Sequence, residues 1–513
     1  MQDMQEQEQN PNPPPVVTPI TSVVATKQTK QKTVDRANLE AAIEQGASGD
    51  AELLRALLRH RFCFGAASKH WYRWAGTHWK QDVQSERLCV AHDELVALYS
   101  ALLQDVDAEK HDALAEGNKD SANAKKAFAS KIEKRLVRLH DPRYQTQVVD
   151  HAAVGLASLS VEDSETFDKV PHYLPCLNDT VDLKTGFPLA NRPDAWQTKC
   201  APVKYDRTAT APTWHTFMND IFDGDAELVA FVRRLLGMAL LGEVSEHVLP
   251  IFYGGGANGK SALLETIKQT IGGDFATPGN LSIIVGKADN RGGPSPELLR
   301  LRGTRLVWFS EPDGSAHLRT GNAKNLTGGD TLTARPLHGN PVEWSPTHTA
   351  IVTTNHKPRV PDNDFGTWRR ILLVPFNVRF VDNPSAANER QRDPRMIEKL
   401  RTERPGILAD LVEGCLEFQR DGLNPPDAVR VETALYQNEE DDVKRFVEEC
   451  CKLDSSKKVA PRKFHDAYAT WCQGEGILHP LASKKLQKRL ETAFGIRRGK
   501  SREIPGIYLD EKG

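Results

Sequence analysis

The stretch LPIFYGGGANGKSALLETI, Leu249 to Ile267, breaks an apolar run with three glycines, reaches Gly259-Lys260-Ser261, and resumes with helix-forming residues. A glycine, four residues, then Gly-Lys-Ser is the full spacing of a phosphate loop, set between a strand and a helix start where the mechanism needs it. Glycines let backbone N–H groups turn inward around a phosphate. Lysine reaches the β and γ oxygens, and the serine hydroxyl reaches Mg²⁺ at the positive end of the helix. Gly254, Gly255, Gly256, Ala257, Asn258, Gly259, Lys260 and Ser261 are therefore expected to bind ATP, with Ser261 on Mg²⁺.

A phosphate loop needs an acid on a neighbouring strand to complete the metal site and polarise the attacking water. The run RLVWFS is followed by Glu311-Pro312-Asp313, so Glu311 is expected as general base and Mg²⁺ ligand. Asp313 either assists at the nucleotide or begins a turn. The run AIVTT ends in Asn355, whose amide could orient water against the γ-phosphate or cap a turn before Pro358. Arg369 and Arg370 stand just ahead of ILLVPF; one can pair at home while the other reaches a neighbouring subunit's nucleotide. Between the acid and Asn355, two strand-like runs flank Leu337-His338-Gly339-Asn340. This is read as a hairpin with a polar tip, with Lys324, Arg335 and His338 facing DNA phosphates.

These groups need a sheet to hold them. RLVWFS, TAIVTTN and RRILLVPF read as buried strands of an α/β sheet. The expected division is a disordered arm over 1–45, a mixed α+β domain over 46–210, an ATPase domain with helical flanks over 211–425, and a winged-helix-like DNA-binding domain over 426–513. The arm is rich in Gln, Pro, Thr and Lys, and too poor in large apolar residues to offset the entropy of ordering. Trp71, Trp74 and Trp79 could stack on bases, but their spacing also suits a small hairpin that packs its rings inward, which is the preferred reading.

With 513 residues, 39% hydrophobic and 27% charged, the chain calls for several globular domains. No apolar run approaches the ~20 residues that cross a bilayer, and the N-terminus lacks the pattern of a secretory signal, so a cytoplasmic protein with no membrane role is expected. Eight scattered cysteines, only two of them adjacent, suggest reduced structural thiols and no zinc site. The net charge of −2 hides a basic C-terminal end with Lys484, Lys485, Lys488, Arg489, Arg497, Arg498, Lys500 and Arg502, so a nucleic-acid partner is compatible with overall neutrality.

Together the segments GGGANGKS, RLRGTRLVWFSEPD, KNLTGGDTLTARPLHG and VTTNHKPRVPDNDFGTWRRILLVPF resemble the superfamily 3 helicases, specifically the phage and plasmid primase-helicases related to the poxvirus type. Upstream, CLNDTVDLKTG, TKCAPVKYD and APTWHTFM are similar to that family's helicase-preceding domain. The resemblance implies a P-loop, AAA+-like motor that hydrolyses ATP with Mg²⁺ and moves along single-stranded DNA as a ring, usually a hexamer, during replication of a phage, plasmid or integrated element. Its implied partners are single-stranded and forked DNA, further copies of itself, and a separate primase or polymerase. Two departures stand out. The second acid motif is Glu311-Pro312-Asp313 in place of an adjacent acidic pair, and no acidic metal-binding pair on strands is apparent upstream, so a priming centre is not expected. The tail from Val443 looks like a winged-helix module, with ASKKLQKRLETAFG as its DNA-tracking helix. The alternative reading is an ATP-switched DNA-binding replication initiator that assembles without processive unwinding.

Overall fold

The computed structural model describes residues 34–155, 157–285, 295–310, 318–335, 337, 341–360, 365–475, 477, 480–497 and 503–510. Glu311, Asp313 and His338 lie outside the described residues, as do Arg498, Lys500 and Arg502. The chain divides into two compact units.

The first unit, 34–64 with 83–160, is helical. Its main helices are Arg36–Gln45, Ala47–Leu58, Glu86–Ala115, Lys119–Leu139 and Pro142–Ala152. The first of these corrects the expected arm, since order begins before residue 45. Asp35 caps the helix by accepting from the Asn38 amide at 2.8 Å, and Leu39, Ala42 and Ile43 bury one face at helical spacing. Asp50 is wholly buried, yet it accepts from Arg135 Nη1 at 2.6 Å, Tyr99 Oη at 2.5 Å and Tyr144 Oη at 2.7 Å. A buried carboxylate survives when it is paired and hydrogen-bonded in this way, and removing one partner of such a pair typically costs about 3–5 kcal/mol. Burial pushes both tyrosine hydroxyls up, so they remain donors.

The second unit, 65–82 with 161–513, is built on a five-stranded parallel sheet. Its strands are β1 (Leu249–Tyr253), β2 (Ala276–Pro278), β3 (Leu306–Ser310), β4 (Thr349–Thr354) and β5 (Ile371–Pro375), in the spatial order β5-β1-β4-β3-β2. Side chains alternate across the sheet. Phe252, Leu306, Trp308, Ile351 and Val374 join a core with Trp214, Phe231, Leu263 and Ile407 from helices Pro212–Ile221, Ala226–Leu241, Lys260–Ile271 and Arg404–Asp421. On the other face Ile251, Val307, Phe309, Val352 and Leu373 pack with Leu326, Trp368 and Tyr436. Burial on both faces is why these strands read as unbroken apolar runs.

At the head of β3, Arg305 is buried, and among the described residues it makes no ion pair within 4 Å. Its guanidinium instead donates to the carbonyls of Leu240, of Pro171 at 2.8 Å and of Tyr173 at 2.6 Å, and lies over the Phe275 ring. Burial lowers its pKa only to about 10, so it stays charged and ties the end of helix Ala226–Leu241 to the strand-rich segment before it. That segment, with antiparallel strands Tyr173–Pro175, Thr180–Asp182 and Phe187–Leu189, shares the core of the parallel sheet through Leu174, Val181 and Val203. The expected boundary at 210 therefore does not separate two cores. Hairpin strands Trp71–Trp74 and Trp79–Gln81 also belong to this unit. Trp79 is buried, stacks on Trp196 at 5.1 Å and donates its indole N–H to the Pro193 carbonyl at 2.8 Å, as the inward-packing reading expects.

At the C-terminal end, helices Asp442–Cys450, Pro461–Gly474 and Ser483–Phe494 pack on an antiparallel pair, Cys451–Val459 with Ile504–Leu509, around Phe446, Phe464 and Tyr468. Three short helices and a two-stranded sheet are what the sequence predicts there. Among the described residues the cysteines form no disulfide, and no helix is long and apolar enough to cross a membrane.

His348, immediately before β4, is buried, and among the described residues neither ring nitrogen has a hydrogen-bond partner. Desolvation lowers its pKa from 6.5 to about 4. Between those values the unfolded chain binds the proton that the folded chain refuses, so stability falls as pH falls. About 2 kcal/mol of unfolding free energy should be lost between pH 7 and pH 5 through this group. Denaturant unfolding at the two pH values should show a correspondingly smaller loss for His348→Leu; equal losses in variant and parent would assign the effect elsewhere.

Candidate functional site

Each strand that precedes a predicted functional residue ends at the same edge of the sheet. β1 runs into the glycine loop, β3 ends at Ser310 next to Glu311 in the chain, and β4 ends at Thr354 next to Asn355. The crevice outside the carboxyl ends of the strands is where ligands of open α/β sheets bind.

The loop's shape follows from steric demands at two glycines. A Cβ on Gly254 would run into the Phe376 carbonyl oxygen and Asn258 Nδ2, so the chain there has no room for a side chain. Gly259 has φ of 90° and faces Ile221, which again excludes a Cβ. Gly255 and Gly256 differ. A Cβ there would meet nothing within 4 Å, and among the described residues their amides donate to no backbone carbonyl. Room above free N–H groups at a helix start fits a phosphate. Ser261 is exposed on the first turn of helix Lys260–Ile271, where its hydroxyl can reach a cation bound with that phosphate.

Lys260 is only 7% exposed. Its ammonium donates to the Gly254 carbonyl at 2.7 Å and to Asn355 Oδ1 at 3.1 Å. The lysine of the loop and the asparagine of the neighbouring strand are thus in direct contact, although they are far apart in sequence. Asn258, expected on the ligand, turns inward and donates to the Phe376 carbonyl at 3.3 Å; the Ala257 carbonyl accepts from the Phe380 amide at 2.7 Å. Both residues brace the loop.

The two arginines separate. Arg370 is buried, donates to the Gly366 carbonyl, and its own carbonyl accepts from the Leu249 amide at 2.6 Å. It is built into its own sheet. Arg369 is exposed. The expected hairpin exists as Leu332–Ala334 paired with Val342–Trp344, and exposed Arg335 follows its first strand. Lys324 is not on it: the residue lies in helix Thr320–Thr327, because Ala323, Leu326 and Thr327 bury a helical face ahead of Gly328.

Sequence reading missed a clamp behind Asn355. Lys357 pairs with Glu439 at 2.7 Å and lies over the Tyr253 and Tyr436 rings, Glu440 accepts from the Val360 amide at 3.1 Å, and Tyr436 donates to the Pro358 carbonyl. Burial raises the Glu440 pKa. The adjacent acids at 439 and 440 were a visible signal, but nothing local to them names a partner so distant in the chain.

Residues 51–223 match the family described as D5 N terminal like, and residues 438–503 the family described as poxvirus D5 protein-like. A protein of Acanthamoeba polyphaga mimivirus, provisionally named a helicase, is 26% identical over 82% of this chain and 45% of its own length. A protein of African swine fever virus (strain Badajoz 1971 Vero-adapted), provisionally named a primase, is 26% identical over 52% of this chain and 29% of its own. The chain thus spans less than half the length of these relatives. The apo structure of the NrS-1 C-terminal region (305–718) aligns with 90% of this chain and 99% of its own at 10% identity, with a TM-score of 0.44.

The two kinds of glycine give a test of the loop geometry. Gly254→Ala should cost about 1–3 kcal/mol through steric conflict with the Phe376 carbonyl. Gly256→Ala should leave the melting curve of the ligand-free protein within about 0.5 kcal/mol of the parent. Calorimetric melts of both variants check this, and equal destabilisation would refute the geometry described.

Proposed function

We propose that this chain, which carries D5-type segments on both sides of its parallel-sheet core and belongs with the poxvirus-type primase-helicases, is an ATP-hydrolysing motor that acts on DNA during replication. The observation that carries the reading is the contact of Lys260 with Asn355 at the carboxyl edge of the sheet. A γ-phosphate bound there would meet the ammonium and the amide together, so its loss on hydrolysis would be felt in both loops at once.

In this reading the Gly255 and Gly256 amides and Lys260 bind the triphosphate, and Asn355 orients the attacking water. Glu311, next in the chain after β3, accepts that water's proton. Ser261 and Glu311 would hold Mg²⁺, which when bound neutralises charge on the phosphate oxygens. Asp313 is left as an auxiliary of the same segment. Hydrolysis is expected to need a neighbour, because the buried Arg370 serves its own sheet while the exposed Arg369 is available to another subunit's nucleotide. That requirement, and the family resemblance, favour a ring of several copies around single-stranded DNA.

The clamp behind Asn355 supplies a route from nucleotide to DNA. Pro358 and Val360 are held by Tyr436 and Glu440 of the helix Asp427–Glu439 and its end. One residue on, Asp441 caps helix Asp442–Cys450 through the Lys444 amide at 3.1 Å and accepts from Arg489 at 3.0 Å. Arg489 sits on helix Ser483–Phe494, which also carries Lys484, Lys485 and Lys488. We assign DNA-phosphate contacts to that helix acting as a winged-helix module, to Arg335 after the hairpin's first strand, to His338, and to Lys324 of helix Thr320–Thr327.

The arginine assignment is tested by mixing subunits. Lys260→Ala and Arg369→Ala should each abolish ATP hydrolysis alone, yet mixed assemblies should recover part of it, because a junction with an intact loop on one side and an intact arginine on the other can form. Arg370→Ala should instead lower thermal stability and show no such recovery. Mixed assemblies of proven composition that stay inactive with Arg369→Ala would sink the trans role.

A further inference from the structure

Two histidines from different helices meet in the first unit. Helices Glu86–Ala115 and Lys119–Leu139 are joined by a short turn and run antiparallel, with Lys125 paired to Glu109 near that turn. His92 lies in the second turn of the first helix, and His140 caps the end of the second. Antiparallel packing therefore brings them together at the open end of the pair, 48 residues apart in the chain, with His92 Nε2 3.2 Å from His140 Nδ1 and the ring centroids 4.9 Å apart.

Asp93, next in the chain, has Oδ1 2.9 Å from His92 Nδ1. A carboxylate can only accept there, so Nδ1 carries a hydrogen and the neutral ring keeps its lone pair on Nε2, the nitrogen that faces His140. His140 Nδ1 then donates to that lone pair. The His92 side chain is 21% exposed and that of Asp93 78%, and His140 is exposed as well, so small ions in solution reach the pair.

We propose that His92 and His140 bind a divalent transition-metal ion, with Zn²⁺ as the probe, and that the ion clips the open end of the helix pair. Zinc–imidazole bonds are about 2.0–2.1 Å long, so two nitrogens on one ion stand about 3.3–3.4 Å apart at the tetrahedral angle and about 2.8–3.0 Å apart at a right angle. The observed 3.2 Å lies between these limits. Each ring has to tilt its nitrogen off the line that joins the two, which the broad χ2 torsion of histidine permits. On binding, the ion takes the lone pairs of His92 Nε2 and His140 Nδ1. The proton of His140 Nδ1 passes to solvent while Nε2 of the same ring takes one up, so both rings stay neutral. Asp93 keeps its hydrogen bond to His92 and orients that ligand from behind, as carboxylates commonly do for metal-bound imidazoles. Among the described residues no group of three or more His, Cys, Asp or Glu could hold a metal ion, so water fills the other positions. The scattered cysteines gave no reason to expect zinc, and this site uses none of them; its ligands come together only when the two helices pack. Tyr99 and Arg135, which hold the buried Asp50, lie on these helices between the turn and the clip.

Calorimetric titration of the chelator-treated full chain with zinc chloride tests this. The parent should have a zinc site that His92→Ala or His140→Ala weakens at least tenfold and that Asp93→Asn weakens about tenfold, through loss of the orienting charge. Carbethoxylation of histidines, read by peptide mass spectrometry on the parent alone, does not depend on any variant folding. Zinc should protect His92 and His140 from the reagent, and Mg²⁺ at the same concentration should protect neither, because it prefers oxygen ligands. Zinc affinity that survives the loss of either histidine, or zinc that leaves both rings as reactive as before, overturns the proposal.

Discussion

A buried ammonium must be surrounded by acceptors, and much of the architecture around the glycine loop meets that need for Lys260. The cost of leaving such a charge unpaired runs to several kcal/mol. The Gly254 carbonyl and Asn355 Oδ1 supply two acceptors, one from the loop's own start and one from the next strand across. For both to be in reach, β1 and β4 must be adjacent, parallel and in a register that ends them together, which pairs Thr354 with Tyr253. The loop must also close tightly enough that Gly254 passes against Phe376, which leaves no space for a Cβ. Sheet order, register and loop glycines thus answer to one electrostatic requirement, and a triphosphate would enter that arrangement as further acceptors for the same ammonium.

The same edge of the sheet is tied to a helix far along the chain. Asn355 is followed within a few residues by Lys357, Pro358 and Val360, each held from behind by Tyr436, Glu439 or Glu440. Leu373 of β5 donates its amide to Thr433 Oγ1 at 2.8 Å, so the helix Asp427–Glu439 holds both β5 and the loop that follows β4. Asp441, the residue after Glu440, accepts from Arg489 on the basic helix at 3.0 Å, so the same run of chain touches both the loop after β4 and that helix.

The family-level reading and the parallel sheet were legible because they rest on local signals: apolar runs of strand length, a glycine spacing that few loops need, and polar residues that follow each run. The split between Arg369 and Arg370 was not, since neighbouring residues on one chain carry no mark of which will face the sheet. Lys324 was misplaced for a related reason. Two strand-like runs announce a hairpin but do not say where the preceding helix ends, and only the burial of Ala323, Leu326 and Thr327 decides that. The aromatic hairpin was read as structural from ring spacing, and the stack of Trp79 on Trp196 explains why, although Trp196 itself could not be named from its neighbours.

By itself the sequence determined the residues on offer: a lysine and serine at the spacing of a phosphate loop, an acid after a buried strand, an amide after another, and a basic C-terminal helix. These depend on residue type and on spacing along the backbone, which a one-dimensional pattern carries in full. The tertiary structure decided which of these groups meet. It brought Lys260 to Asn355, turned Asn258 and Arg370 inward, and merged the segment before residue 210 into the core of the parallel sheet. Each is a long-range contact, set by the packing of whole elements against one another, and the energy that selects it is shared among many side chains and written at no single position.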